Sequence, residues 1–202
     1  MFNLSKTQLR LIKRIFIRFI YRHCIPFSIW WYSLTMRFTK MSSKRVTYYL
    51  STTEIANDID WGTRYKKDPL NGKLDYLTHP SRLAHNAENE LLFGDCDDHA
   101  MFWCVGLLKS ELAERAWFCF YSMEKVETGK TSAHAICVYE RNEMFYWTDY
   151  NLPACLDEYR HKAFDRSAAT YGAVPIAGAM IEITEVLDDD TPVFGEIIVL
   201  EP

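Results

Sequence analysis

No acidic residue occurs before Glu54, although the 202-residue chain holds 27 of them. Glycine (8) and proline (7) are scarce, which excludes collagen-like and low-complexity classes. The chain has no run of about eighteen uncharged apolar residues, so a standard transmembrane helix is excluded. C-x-x-C pairs are absent too, and the cysteines (Cys24, Cys96, Cys104, Cys119, Cys137 and Cys155) are few for a chain this long. Several sit in apolar runs such as Phe118-Cys119-Phe120 and Ile136-Cys137-Val138, where a free thiol acts as a small core hydrophobe. This usage implies a reducing, cytoplasmic setting with at most one special cysteine. What the chain does have is core material: 49% hydrophobic and 15% aromatic residues against 25% charged. That supports one packed domain with a short appendage and excludes wholesale disorder.

The charge is split along the chain. Residues 1–53 carry ten Lys and Arg and no counter-charge, whereas the remainder has 27 acidic residues against thirteen basic ones. The pattern reads as a basic arm, residues 1–45, on an acidic body, residues 46–202. Within the arm, residues 4–22 read as a helix with Arg10, Arg14, Arg18 and Arg22 in one cationic stripe, and Pro26 is expected to stop it. Leu11, Ile12, Ile15, Phe16, Phe19 and Ile20 fill the rest of the circumference, and Trp30-Trp31-Tyr32 follow. That composition fits an interfacial helix on an anionic membrane, or an arm packed on a partner protein or on its own body. The apolar residues are too many for a plain phosphate-binding arm, so nucleic acid is not expected. A secretory signal is not expected either, because charges interrupt the apolar stretch. The arm is expected to be dispensable for folding, and Met36 or Met41 can equally begin the compact domain.

The body reads as α+β. Thr52 or Thr53 can cap a short helix, Pro80-Ser81 can begin another, and Gly94-Asp95 precede a helix from Cys96 to about Ser110. Strands are expected over residues 117–121, 133–139, 144–148, 179–186 and 196–200, in an antiparallel sheet. Asp188-Asp189-Asp190 reads as a solvated turn.

Cys96 is placed unlike the other cysteines. At the first position of a helix it meets the positive end of the dipole and free backbone N–H groups that can bind an oxyanion. Asp97 and Asp98 oppose thiolate formation, so the site needs a cationic partner, and His134 at the start of a strand is the best candidate. If Arg141-Asn142 is the hairpin turn, His134 lies opposite Asp149, where a carboxylate would orient the imidazole. His99 sits one helical turn beyond Cys96, but zinc would need four ligands at familiar spacing, and these are missing.

Gly94-Asp95-Cys96-Asp97-Asp98-His99-Ala100 at a helix start, followed by His134 on one strand and Asp149 ending the next, resembles the transglutaminase-like superfamily. The likeness covers roughly residues 50–150 and is closest to the bacterial transglutaminase-like cysteine proteinases. Their motif resembles Gly-Asp-Cys-Glu-Asp-Tyr-Ala, and this chain departs from it at Asp97 and His99. The resemblance implies a papain-like core, with the nucleophile-bearing helix packed on an antiparallel sheet. It implies acyl transfer through Cys96, His134 and Asp149, with a protein or peptide substrate and with Trp61, Asn86 or Asn89 supplying an oxyanion donor. No cofactor is required, although calcium near Asp97 and Asp98 is compatible with such proteinases. The alternatives are a transamidating enzyme and a non-catalytic interaction module of the same fold.

Overall fold

A computed structural model describes residues 5–62, 77–89, 91, 94–150, 152–155 and 159–200. Among them the helices are α1 (Lys6–Thr39), α2 (Thr52–Gly62), α3 (Pro80–Glu88), α4 (Cys96–Lys109) and α5 (Lys162–Thr170). The strands are β1 (Arg115–Lys125), β2 (Thr131–Arg141), β3 (Met144–Asp149), β4 (Leu152–Cys155), β5 (Ala173–Val186) and β6 (Pro192–Leu200). They form one sheet in the order β4-β3-β2-β1-β5-β6, and each neighbouring pair is antiparallel. The class is therefore α+β.

Alternation along β1 and β2 divides the core between the two faces of the sheet. Phe118, Ala135, Cys137 and Tyr139 pack with Met101, Phe102, Val105 and Leu107 of α4 on one face. Trp117, Cys119, Tyr121, Ile136 and Val138 pack with Ala163, Phe164 and Ala168 of α5 on the other. Helix α4 is buried along nearly its whole length, from Asp97 to Leu107, so its few polar side chains lie inside the protein.

Local chemistry sets the helix starts. Ser51, rather than Thr52 or Thr53, caps α2: its hydroxyl accepts from the Glu54 amide, and the Glu54 carboxylate accepts from Leu50 N–H at 2.7 Å. Pro80 opens α3, and the His79 ring accepts from the Ser81 amide. Asp95 stands at the cap position of α4, but its side chain makes no capping bond. Gly94 is required there because a Cβ would lie 2.1 Å from Asp98 Oδ2. Asp98 cannot yield, since its carboxylate accepts from the Thr78 amide at 2.6 Å and from the Thr78 hydroxyl at 3.1 Å. Gly94→Ala should therefore cost about 2 kcal/mol or more, read as a lower urea midpoint with unchanged slope.

Helix α1 differs from expectation. It runs 34 residues and passes through Pro26 without stopping. Proline removes one backbone bond, and the side-chain packing on either side outweighs that loss: Tyr21, Ile25, Tyr32 and Met36 are all buried. Tyr21 and Ile25 cover Ala177 and Ala179 of β5, while Tyr32 and Met36 join the main core with Val46, Ile55 and Leu83. The packing thus runs across residue 45 without a division. Two arginines of the stripe, Arg14 and Arg18, turn toward the body. Arg14 forks onto the buried Glu124 with two 3.2 Å bonds, and Arg18 donates to the Ile176 carbonyl at 3.3 Å.

The acidic triplet is not a solvated turn throughout. Asp190 is fully buried, accepting from Val46 N–H at 2.7 Å and from Lys109 at 2.5 Å, and so fastens β6 to the segment after α1. None of the described cysteines is in a disulfide. Among the described residues no helix is long and apolar enough to cross a membrane.

Candidate active site

The hairpin β2–β3 turns at Asn142-Glu143, both with positive φ (53° and 62°), not at Arg141-Asn142. A two-residue turn of this hand needs left-handed backbone at both central positions, and asparagine is well suited to the first of them. The register consequently pairs Arg141 with Met144, Val138 with Trp147 and Cys137 with Thr148. This is a slip of two residues relative to the expected pairing, and a slip of two keeps every side chain on its face. Asp149 is thus a diagonal rather than a direct neighbour of His134, still within reach. Its Oδ1 lies 2.9 Å from His134 Nε2.

Both members of the pair are buried, at 6% and 8% exposure. Asp149 is further held from α5 and the residue after it. Ser167 donates to Oδ2 at 3.1 Å, Tyr171 donates to the carboxylate at 3.0 Å, and Tyr121 in turn donates to Ser167 at 2.7 Å. Beside Asp149, burial and that charge push the Tyr171 phenol well above its usual range, so it stays a donor. Asp149 accepts from three groups, and accepting Nε2–H leaves the lone pair of His134 on Nδ1.

Strand β3 pairs with β2 only as far as Cys137, whereas β2 continues back to Thr131. The chain leaves β3 at Tyr150, whose φ of 56° is strained for a tyrosine. The Tyr150 ring sits between two imidazoles, 5.2 Å from His99 on α4 and 5.9 Å from His134. Thus the first turn of α4, on one face of the sheet, meets the His134–Asp149 pair from the other face at the end of β3. Cys96 is the first residue of that turn and is half-buried. The Tyr121 ring contacts His134 edge-on at 5.9 Å, and burial raises its phenol against the opposing hydrogen bond to Ser167, with Asp149 adding to the rise.

The oxyanion candidates fare differently. Asn89 is exposed, and its side-chain amide donates to the His85 carbonyl at 2.8 Å, closing the end of α3. Asn86 is half-buried on α3. The Trp61 side chain lies outside the described residues. Asp98 is committed to Thr78, so the carboxylates beside the thiol are those of Asp95 and Asp97, whose ligand-type atoms lie within 4.8 Å of Cys96 Sγ and of one another. Tyr150, Ser167 and Tyr171 were missed by sequence reasoning. Only Tyr150 carried a signal, its adjacency to Asp149.

His99 is buried, and its pKa falls to about 4 because burial outweighs the attraction of Asp95 and Asp149. Burial likewise takes His79 to about 4, against the opposing pull of Asp189. The unfolded chain, with histidine near 6.5, therefore binds more protons than the folded one through this interval. The stability tied to these neutral rings is complete above about pH 6.5 and is lost as pH falls towards 4. Urea midpoints should drop between pH 7 and pH 4.5, and His99→Asn should remove a large part of that drop.

No protein-family model matches the chain, and no curated protein gives a significant match.

Proposed function

We propose that the protein is a cysteine-dependent acyl-transfer enzyme acting on peptide or side-chain amides, built on a papain-like, transglutaminase-like core. The observation that carries this reading is the buried His134–Asp149 pair, held by Ser167 and Tyr171 and set against the helix turn that Cys96 begins. His134 Nδ1 takes the Cys96 proton, and the thiolate attacks the amide carbonyl carbon. The oxyanion gathers at the Cys96 backbone N–H, one of the first-turn donors that have no partner within the helix. The imidazolium, stabilised by Asp149, returns the proton to the leaving amine as the C–N bond breaks, leaving a thioester. Water then restores the thiol and releases acid, or a primary amine releases a new amide.

A panel of fluorogenic peptide amides and glutamine-containing peptides, with and without a primary amine, tests this directly. Turnover should fall on the order of 1,000-fold or more in Cys96→Ser, because serine is a far weaker nucleophile beside the same histidine. Amine incorporation would assign transamidation, and acid release alone would assign hydrolysis. Turnover that survives Cys96→Ser would overturn the assignment.

A further inference from the structure

While Arg14 and Arg18 turn toward the body, α1 leaves a set of apolar residues facing outward. Leu9, Ile12, Phe16, Phe19, Phe27 and Trp30 are each at least half exposed. They recur every three or four residues, apart from the step across His23, so they form one stripe along the side of α1 that faces away from the body. With their neighbours they expose on the order of 800 Å² of apolar surface, beyond what a soluble monomer usually leaves in water. The rings of Phe27 and Trp30 lie 5.5 Å apart on it.

The charge around the stripe indicates what covers it. Lys6, Lys13 and Arg37 flank it, and neither α1 nor any residue before Glu54 offers a carboxylate. A second copy docked through the same stripe would set cation against cation with no acidic residue on either helix to pair them. An anionic headgroup layer answers those charges, while the Phe, Trp, Leu and Ile side chains enter the acyl boundary. We propose that α1 lies along an anionic lipid surface, apolar stripe down, with the acidic body behind it and away from the headgroups. The helix lies in the plane of the surface, about 50 Å long at 1.5 Å per residue. This inference is independent of the acyl-transfer reading.

Co-sedimentation of the full-length protein tests it, using phosphatidylcholine vesicles with and without phosphatidylserine. Binding should require phosphatidylserine and weaken as salt rises. Lys13→Gln and Arg37→Gln should each weaken it about fivefold. The double variant Phe16→Asp, Phe19→Asp should lose it about 100-fold or more. Because these side chains are exposed, every variant should keep the melting temperature of the parent, which separates loss of surface from loss of fold. Three results would each overturn the proposal: no recruitment to either vesicle, recruitment indifferent to Lys13 and Arg37, or a lipid-independent dimer that the Phe16→Asp, Phe19→Asp variant dissociates.

Discussion

At pH 6, iodoacetamide should alkylate Cys96 on the order of 100-fold faster than Cys24, as read by peptide mass spectrometry. Cys24 is the internal reference, because it is exposed on α1 and far in sequence from any proposed partner. An ordinary thiol at that pH is almost entirely protonated and reacts slowly. Cys104, Cys119 and Cys137 are buried, and burial pushes the Cys119 and Cys137 thiols well above their usual range, so they should stay inert in the folded protein. Cys96 differs in beginning a helix, and in the proposed site its partner is His134, whose Nε2 side is taken by Asp149. His134→Ala should remove most of the advantage, and Asp149→Asn should remove part of it, since the asparagine cannot stabilise the imidazolium. The Ser167 and Tyr171 hydroxyls would still find an acceptor in the asparagine carbonyl, so Asp149→Asn tests charge more than packing. Equal rates at Cys96 and Cys24 in the parent protein would falsify the triad.

The His134–Asp149 contact was legible in the sequence because strand parity is robust. Misplacing the turn by one residue moved the register by two, and a shift of two leaves His134 and Asp149 on the same face. Misplacing the register by one would have put Asp149 on the α4 side with Thr148's core neighbours, and the pair would have been lost. The left-handed demand of the turn was readable in principle, since Asn142 is the residue that best accepts it first. The supports of Asp149 were not readable. Ser167 and Tyr171 reach it only because α5 crosses the face opposite α4, and no local pattern announces which strand a short helix will cover.

For the basic helix only the expected stop at Pro26 was wrong, and its orientation was not readable. Amphipathic spacing fixes which residues share a side of a helix but not which side faces the protein. The ordinary rule puts the apolar side inward. Here buried Glu124 and the open Ile176 carbonyl draw Arg14 and Arg18 in, alongside Tyr21 and Ile25, and the apolar stripe is left outside. The sequence showed one unusual charge distribution, and the partner that resolves it sits more than a hundred residues away, on β1.

That inversion makes truncation the decisive measurement on α1. A chain beginning at Met41 loses Tyr21, Ile25, Tyr32 and Met36, each buried at 8% exposure or less. It also uncovers Phe118, Phe120, Ala177 and Ala179 and removes the Thr35 hydroxyl that bonds both the amide and the carbonyl of Leu77. Large buried side chains are each worth about 2–4 kcal/mol, so the four together rival the ~5–15 kcal/mol that holds a typical domain folded. The Met41 chain should show no cooperative thermal transition and should expose apolar surface to a hydrophobic dye. A chain beginning at Ile20 keeps all four side chains and gives up the Arg14–Glu124 and Arg18–Ile176 bonds, the packing of Ile17 on the Tyr21 cluster and the approach of Arg10 to Gly129. It should melt cooperatively with a loss of about 1–3 kcal/mol, chiefly from the stranded Glu124 carboxylate. That contrast would place the domain's edge between Ile20 and Met41. If the Met41 chain melts within a few degrees of the full protein, the packing of Tyr32 and Met36 contributes little, and the edge lies after the helix instead.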